Sequence, residues 1–170
     1  MRLDPASSAL LVIDLQNDTV GADGAFAPSG AAAFAAEHGV VERAARNAEL
    51  FRSIAAADAL VRGTWGAAPV VLPLAGDLVV EKQRMSSFNS TTLDTKLRGL
   101  GTRTVVCCGA WTNWAVEPTC RDAADHGYEV VVVTDATATI SAEFQHAALD
   151  YALTTVATRA TVAELVAALE

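Results

Sequence analysis

Three segments of the sequence place polar or charged side chains directly after apolar runs. Asp14 ends the run SALLVID, Lys82 follows DLVVE, and the turn GAWTN follows RTVVCC. A carboxylate that follows a buried strand can be desolvated, which raises its pKa and makes it a usable general acid or base. An ammonium group can pair with it and stabilise negative charge that develops on a substrate, and backbone N–H groups at a helix start can hold an oxyanion.

Each of these segments also has a purely structural interpretation. Asp14 can cap a helix or loop, Lys82 can be a surface lysine at a sheet edge, and residues 109–115 can form an ordinary connection between a strand and a helix. Arg84 is a rival of Lys82 for the role of the positive charge. The interpretation as a site depends on whether the fold brings the three segments to the same place.

The elements that must position these residues are apolar strands alternating with helices. This alternation predicts right-handed βαβ units, so the expected fold is α/β: a single Rossmann-like three-layer domain over residues 1–170, with a mostly parallel sheet and helices on both faces. In such sheets the ligand lies beyond the C-terminal ends of the strands, where Asp14, Lys82 and the 109–115 turn are expected. The predicted strands are 8–14, 77–81, 103–109, 128–134 and 154–157; the predicted helices are 40–57, 90 or 91 to 100, 112 or 113 to 127, 141–153 and a last one from 161; loops are predicted at 17–36 and 62–66.

Composition excludes several classes of function. The formal net charge of −8 argues against nucleic acid, because phosphate binding needs a basic surface. No apolar run approaches the roughly 18 residues of a membrane span, and the N-terminus lacks the features of a signal peptide. The three cysteines indicate buried thiols and a cytoplasmic protein rather than a disulfide framework. No histidine cluster and no GXGXXG loop occur, so we expect neither a metal nor a cofactor.

Together the three motifs resemble the isochorismatase-like hydrolases of the cysteine hydrolase superfamily. The resemblance is carried by DLQND, by EKQRMSSFNSTTLDTKLRGLG, and by GAWTN before a helix that ends in RDAADHGY. The later VVVVTDATAT and the helix at 145–150 also look like the family, so the resemblance covers roughly residues 6–22 and 62–165. It implies a hydrolase that acts on a small molecule, at an amide or carbamoyl C–N bond or at a vinyl ether. It also implies a homodimer or homotetramer.

The resemblance assigns three catalytic positions and finds one of them changed. In the family's cysteine hydrolases an Asp, a Lys and a Cys act together, and the Cys lies three residues after the Thr of the turn. The matching positions here are Asp14, Lys82 and Ala115, and alanine cannot be a nucleophile. Cys120 is no substitute, because five residues of helix carry it about 7 Å along the axis and turn it elsewhere.

Three explanations for Ala115 remain open at this stage. The isochorismatase subgroup lacks the cysteine and cleaves a vinyl ether by proton transfer from its Asp, which Ala115 permits. The pair Thr112–Asn113, however, looks more like the amide-hydrolase side of the family. A nucleophile that was replaced, in nature or by engineering, is the second explanation. The third is a non-catalytic relative that keeps the fold and binds a ligand without turnover.

Aromatic and amide side chains near the three segments are the candidates for substrate contacts. An apolar or planar wall is expected from the aromatic residues, to which Trp114 also belongs, although core packing explains them about as well. The amides can bind a substrate carbonyl or cap a helix. The predicted substrate-binding residues are Gln16, Phe26, Trp65, Phe88, Asn89, Trp111, Thr112 and Asn113.

Two features depart from the family pattern. Family members usually have a second strand after the first long helix, whereas NAELFRSIAAADALVRGTWG joins helix 40–57 almost directly to a glycine-containing loop. Since omission of a central strand exposes two sheet edges, we expect that a segment is absent. Pro118 is the second feature: because it lacks an N–H, it fits only if its helix starts nearby, close to residues 114–115.

Overall fold

The computed structural model describes residues 4–13 and 60–169. By contacts between Cα atoms the chain divides into two compact units, residues 1–14 with 73–170, and residues 15–72. The first unit carries the sheet. Of the second, only residues 60–72 are described; they form turns, with Gly63 at φ +82°, as predicted for the loop at 62–66. The prediction of one domain over residues 1–170 stays a prediction.

Four parallel strands form the described sheet, in the spatial order β1-β2-β3-β4. They are β1 (Ser8–Ile13), β2 (Thr104–Ala110), β3 (Glu129–Ala138) and β4 (Thr158–Ala160). All seven residues of β2 are buried, which is what a strand in the interior of a parallel sheet requires. Parallel pairing brings the C-terminal ends of neighbouring strands to one edge.

Helical segments connect these strands in the described part of the chain. The α-helices are α1 (Leu93–Gly99), α2 (Glu117–Asp125), α3 (Ala142–His146) and α4 (Val162–Leu169). A 3-10 turn, Pro5–Ser7, precedes β1, and π-helical turns at Thr112–Val116 and Ala147–Ala152 precede α2 and follow α3. Pro118 lies in the first turn of α2, where a missing N–H costs least, so the expectation about its position is confirmed to within a few residues.

Alternate residues of the strands build two separate apolar clusters, one on each face of the sheet. Val105 and Val132 belong to the first cluster, which α1, α2 and the 147–152 turn cover. Val106 and Val131 belong to the second, against which Leu165 of α4 packs. The sheet therefore lies between two helical layers, which confirms the predicted three-layer α/β fold.

Two predicted strands are wrong. Residues 77–81 form no strand, and Leu78 and Val79 are 55% and 67% exposed, so the apolar run that suggested a buried strand is not buried against the sheet. Residues 154–157 form a turn instead, because the carbonyl of Leu153 accepts the N–H groups of Val156 and Ala157; β4 begins only at Thr158. Strands 8–14, 103–109 and 128–134 are confirmed with small shifts, and β3 runs four residues further than predicted.

The predicted helices can be compared with the observed helices in the same way. The helix predicted at 90 or 91 to 100 begins at Leu93, and those predicted from 112 and 141 each combine an α-helix with a π-helical turn. The last helix begins one residue after its predicted start. The loop predicted at 17–36, the helix predicted at 40–57 and the segment in which a second strand is missing lie outside the described residues, apart from residues 60–66.

Candidate functional site

The C-terminal ends of β1 and β2 lie side by side. Ile13, the last residue of β1, is in register with Gly109, and Ala110 ends β2 one residue later. Gly109 has φ +120°, and a Cβ at this position would lie 2.6 Å from the backbone nitrogen of Ile13 and 2.8 Å from its carbonyl carbon. Only glycine permits so close an approach. The residue that follows Ile13 in the sequence is Asp14, which lies outside the described residues.

A large bulge in β3 shapes the same edge. Cys107 pairs with Val132, but Gly109, two residues on, pairs with Thr137, five residues on in β3. The register between the two strands therefore shifts by three residues, and the final segment of β3 pairs with the end of β2. Thr137 and Ala138 therefore lie beside Gly109 and Ala110, where the chain leaves the sheet towards the turn.

The turn after β2 is a π-helical turn organised by one carbonyl. The oxygen of Trp111 accepts the N–H groups of Trp114, Ala115 and Val116, at 3.0, 2.8 and 3.3 Å. Within the described ranges the N–H groups of Thr112 and Asn113, the first two of the turn, donate to no acceptor. The helix start therefore has two N–H groups without an acceptor among the described residues, and such groups can hold an oxyanion.

Hydrogen bonds of side chains fasten this turn to the elements around it. The hydroxyl of Thr112, which is fully buried, donates to Oε1 of Gln145 at 2.7 Å, and Nε2 of Gln145 donates to the carbonyl oxygen of Thr137 at 3.1 Å. Asn113 accepts a short hydrogen bond from the hydroxyl of Thr139 through its Oδ1. Since its oxygen is engaged, Asn113 has its amide nitrogen left to donate to a ligand; no described residue accepts from it.

Thr119, also fully buried, links the turn to the segment that follows Lys82. Its hydroxyl donates to the carbonyl of Ala115 at 2.7 Å and accepts from the N–H of Ser87 at 3.0 Å. Ser87 is five residues from Lys82 in the sequence. The second and third motifs of the sequence therefore meet at Thr119, as the first and third meet at Ile13 and Gly109.

Ala115 itself is 2% exposed and belongs to the apolar cluster that contains Ile13 and Phe88. All three cysteines of the chain are buried and free. A hydrogen bond with the thiol of Cys120, together with burial, raises the pKa of Cys107, and burial raises the pKa of Cys108. Neither of these thiols is activated as a thiolate.

Phe88 and Asn89, two predicted substrate contacts, differ in their exposure. Phe88 is 7% exposed and stacks on the ring of His126 at 5.1 Å, with Tyr128 at 5.9 Å. These partners lie where α2 ends and β3 begins, at the end of the sheet opposite to the turn, so Phe88 belongs to the core and does not line the C-terminal edge. Asn89 is exposed, and its side-chain oxygen accepts from the hydroxyl of Ser90.

Two tryptophans remain at the turn. Trp111 and Trp114 are both partly buried and pack edge to face, with ring centroids 4.8 Å apart. Their predicted role as an apolar wall for a substrate stays a prediction. Thr112 is at the turn as well; its side chain is fully buried and donates to Gln145, and its role as a substrate contact stays a prediction.

The remaining predicted residues are placed as follows. Lys82 is partly buried, and its ammonium group donates to the carbonyl oxygen of Arg84 at 3.0 Å. Trp65, 58% exposed, belongs to the second compact unit. Asp14, Gln16 and Phe26 lie outside the described residues, so the convergence of Asp14, Lys82 and Ala115 stays a prediction.

The described residues were also considered as possible metal, membrane and cavity sites, and they show the following features. Residues 4–13 and 60–169 contain no group of three or more histidine, cysteine, aspartate or glutamate side chains that could hold a metal ion. None of the helices in these ranges is long and apolar enough to cross a membrane. Two cavities, of about 290 and 410 Å³, lie around β3, β4 and the segments next to them, and neither contains a residue of the turn.

Sequence reasoning missed the polar residues that hold the turn: Gln145, Thr119, Thr137 and Thr139. A signal for two of them exists, because DATAT places Thr137 and Thr139 on alternate positions after a buried strand, where both side chains point to one face. Gln145 gives no such signal. It lies in a short helix that Ser141 caps through its hydroxyl, and only the three-dimensional structure brings it to Thr112.

Comparison with known proteins places these observations in a family. A model of the isochorismatase domain matches residues 8–164. The uncharacterized isochorismatase family protein YddQ of Bacillus subtilis is 30% identical over 154 residues, which are 82% of each chain. Ureidoacrylate amidohydrolase RutB of Methylorubrum extorquens is 45% identical over 80 residues, 46% of this chain and 32% of RutB. This chain thus matches only about a third of the length of that curated relative.

Solved structures agree with the fold. An isochorismatase family protein from Burkholderia thailandensis is 30% identical, with a TM-score of 0.70 over 99% of this chain and 97% of that one. An isochorismatase-like hydrolase from Alkaliphilus metalliredigens is 27% identical, with a TM-score of 0.74 over 96% and 97%. Because the domain model takes in residues 8–164 and YddQ is similar over most of both chains, the chain belongs to the isochorismatase family.

Proposed function

We propose that this protein is a hydrolase that cleaves an amide or carbamoyl C–N bond of a small molecule. The observation that carries the proposal is the turn 112–116 at the sheet edge where β1 ends in Ile13: among the described residues, the N–H groups of Thr112 and Asn113 at its start donate to no acceptor. A helix start with two available donors stabilises the oxyanion that forms when an amide carbonyl is attacked. The relative RutB, an amidohydrolase by name, supports the choice of an amide bond.

Ala115 occupies the position of the family's nucleophile in this proposal, so the attacking group is water. Asp14 takes one proton from the water while the water oxygen bonds to the carbonyl carbon of the substrate. The electron pair of the C=O bond moves to the carbonyl oxygen, and the N–H groups of the turn stabilise the oxyanion that forms. When the C–N bond breaks, the proton on Asp14 passes to the leaving nitrogen. Lys82 stabilises the negative charge during both steps.

The substrate contacts follow from the surroundings of the turn. Asn113 donates its amide N–H to a polar group of the substrate, because its oxygen is bound to Thr139. The edge-to-face pair of Trp111 and Trp114 offers an apolar wall for a planar or unsaturated group. Gln16, Phe26, Trp65, Phe88 and Asn89 stay candidate substrate contacts that the sequence analysis predicts. A homodimer or homotetramer is also proposed; exposed Leu74, Leu78 and Val79 provide apolar surface that such an assembly can bury.

The test is the release of ammonia or carbamate from a panel of small amides, N-carbamoyl compounds and ureidoacrylate. For a vinyl-ether substrate, the carbonyl product is measured instead. Removal of a general acid or base costs about 10²- to 10⁴-fold in turnover, so D14N should lower kcat by such a factor, and K82M should lower it as well. D125N and K96M are the matched controls, since these residues carry the same charges in α2 and α1, away from the turn. If D14N turns over every active substrate as fast as the unaltered protein, the proposal fails.

A second candidate is a family member that binds its ligand without turnover. The burial of Ala115 in the apolar cluster favours it, because no nucleophilic atom lies at that position. An unaltered protein that binds an amide by calorimetry but releases no product, together with an A115C variant that gains amidase activity, would establish this alternative. Turnover by the unaltered protein excludes it.

A further inference from the structure

The carboxamide of Gln145 joins two elements that meet at the candidate site. Its oxygen accepts from the hydroxyl of Thr112 at 2.7 Å, and its nitrogen donates to the carbonyl of Thr137 at 3.1 Å, with the Thr137 hydroxyl at 3.2 Å. Thr112 opens the turn, and Thr137 lies in the segment of β3 beyond the bulge. A primary amide is the side-chain group that offers an acceptor on one side and a donor on the other at this spacing.

The connection is costly to break at both of its ends. Thr112 is fully buried, so its hydroxyl cannot bind water. Without the hydrogen bond to Gln145, the cost of removing this hydroxyl from water would not be compensated. The position of the Thr112 side chain therefore depends on Gln145, and the position of the Thr112 backbone N–H depends on its side chain. Asn113, the next residue, is fastened by Thr139 in the same segment beyond the bulge. The positions of the first two residues of the turn thus depend on the end of β3.

We propose that Gln145 is the positioning residue of this site: without contacting the substrate, it fixes through Thr112 the direction in which the turn's N–H groups point. This proposal rests on the function proposed above and specifies how that site is kept in its active geometry. A displacement of about 1 Å at reacting groups costs on the order of 10²-fold in rate. Loss of the Gln145 hydrogen bonds should therefore reduce kcat far more than it changes KM.

The first experiment compares Q145L with T112V and with the double variant. If Gln145 acts through Thr112, each single change removes the same connection, and the double variant should be no slower than the slower single one. Additive losses, in which the fold-changes of the two single variants multiply in the double variant, would overturn the proposal. So would a kcat of Q145L equal to that of the unaltered protein.

The second experiment uses pH to separate positioning from folding. A protonated glutamic acid in Q145E keeps one acceptor for Thr112 and one donor for the Thr137 carbonyl, whereas an ionised carboxylate lacks the donor. The kcat of Q145E relative to the unaltered protein should therefore rise as the pH is lowered below neutral, while the melting temperatures of the two proteins stay parallel. A ratio that does not change with pH, or that only follows the melting temperature, contradicts the proposal.

A measurement without substrate distinguishes this proposal from the proposed function. Amide hydrogen exchange of the unaltered protein and of Q145L, followed by mass spectrometry of peptides that cover 112–116, reports on the turn directly. Exchange at the turn should be several-fold faster in Q145L, while exchange in α4 stays the same. If no amide is hydrolysed but exchange at the turn is faster, the proposed function fails and the positioning role stands; unchanged exchange at the turn overturns the positioning role.

Discussion

The backbone of Gly109 in β2 lies directly against the backbone of Ile13 in β1. A Cβ at position 109 would come within 2.8 Å of the Ile13 carbonyl carbon and nearer still to the Ile13 nitrogen and carbonyl oxygen. The contact lies where both strands end, one residue before Asp14 in the sequence and three before Thr112. A single glycine therefore determines how closely two of the three proposed catalytic segments approach one another.

We expect G109A to destabilise the protein strongly. The atoms that the new methyl group meets are backbone atoms, which cannot rotate away, and φ +120° is unfavourable for alanine. The free energy of unfolding should fall by about 4 kcal/mol or more, measured by urea denaturation. G99A is the control, because a Cβ at Gly99 meets no atom within 4 Å and its φ is ordinary. If G109A and G99A unfold at the same urea concentration, the close approach is wrong.

The native cysteines should be unreactive in the folded protein. Cys107 and Cys120 are fully buried and Cys108 is 9% exposed, and the pKa values of Cys107 and Cys108 are raised. Little thiolate is therefore present at neutral pH, and reagent has little access. We expect iodoacetamide to modify the three thiols only as fast as the protein unfolds, and all of them quickly in denaturant.

A positive control for the cysteine experiment is T155C, because Thr155 is exposed in the turn before β4. The thiol introduced there should react at the rate of a free thiol in the folded protein. Rapid modification of Cys120 in the native state would contradict the structure and would reopen the question of a substitute nucleophile.

Tyr128 should lose its proton at a higher pH than an ordinary tyrosine. Burial, together with the hydrogen bond that its hydroxyl donates to Asp94 at 2.8 Å, raises the pKa of Tyr128 to about 12. In the unfolded chain the same phenol loses its proton near its ordinary value of 10.0. Between these two pH values the unfolded state releases the proton and the folded state keeps it, so the free energy of unfolding should fall as the pH rises.

The measurement uses Y151F, in which Tyr128 is the single tyrosine of the chain. Phenolate absorbance in the native protein should rise with a midpoint near 12, and alkaline unfolding should accompany it. Y128F should lack the fall in stability between the two pKa values. A midpoint in Y151F at the ordinary value would show that the hydroxyl of Tyr128 is exposed to solvent.

The sequence predicts the features that depend on local patterns of residues, but not those that depend on contacts between residues far apart in the chain. The runs at Ser8–Ile13 and Thr104–Ala110 are apolar enough to identify buried parallel strands, and their order predicts the α/β fold. DLVVE has the same local character, but Leu78 and Val79 are exposed, because burial depends on a neighbouring strand that the local pattern does not contain.

The same limit applies to the candidate site. The turn at Thr112 is visible in the sequence because a polar pair directly follows a buried strand. Gln145 is 33 residues away in the chain, and the bulge in β3 that brings Thr137 to it depends on a register shift between two strands. Neither hydrogen bonding at such a distance nor strand register can be read from residue types alone.

Leu153 is the residue on which the first apolar cluster can be tested. It is fully buried between the sheet and the helical layer, and its carbonyl also organises the turn that replaces the predicted strand at 154–157. L153A removes buried methyl groups and leaves a cavity, so the free energy of unfolding should fall by about 2–5 kcal/mol, without loss of the backbone hydrogen bonds of the turn. L100A is the matched control: Leu100 is 61% exposed at the end of α1, and its change should stay within about 0.5 kcal/mol. Urea denaturation of both variants measures these changes in stability. Equal urea concentrations at the unfolding midpoints of L153A and L100A would mean that Leu153 is not part of the core.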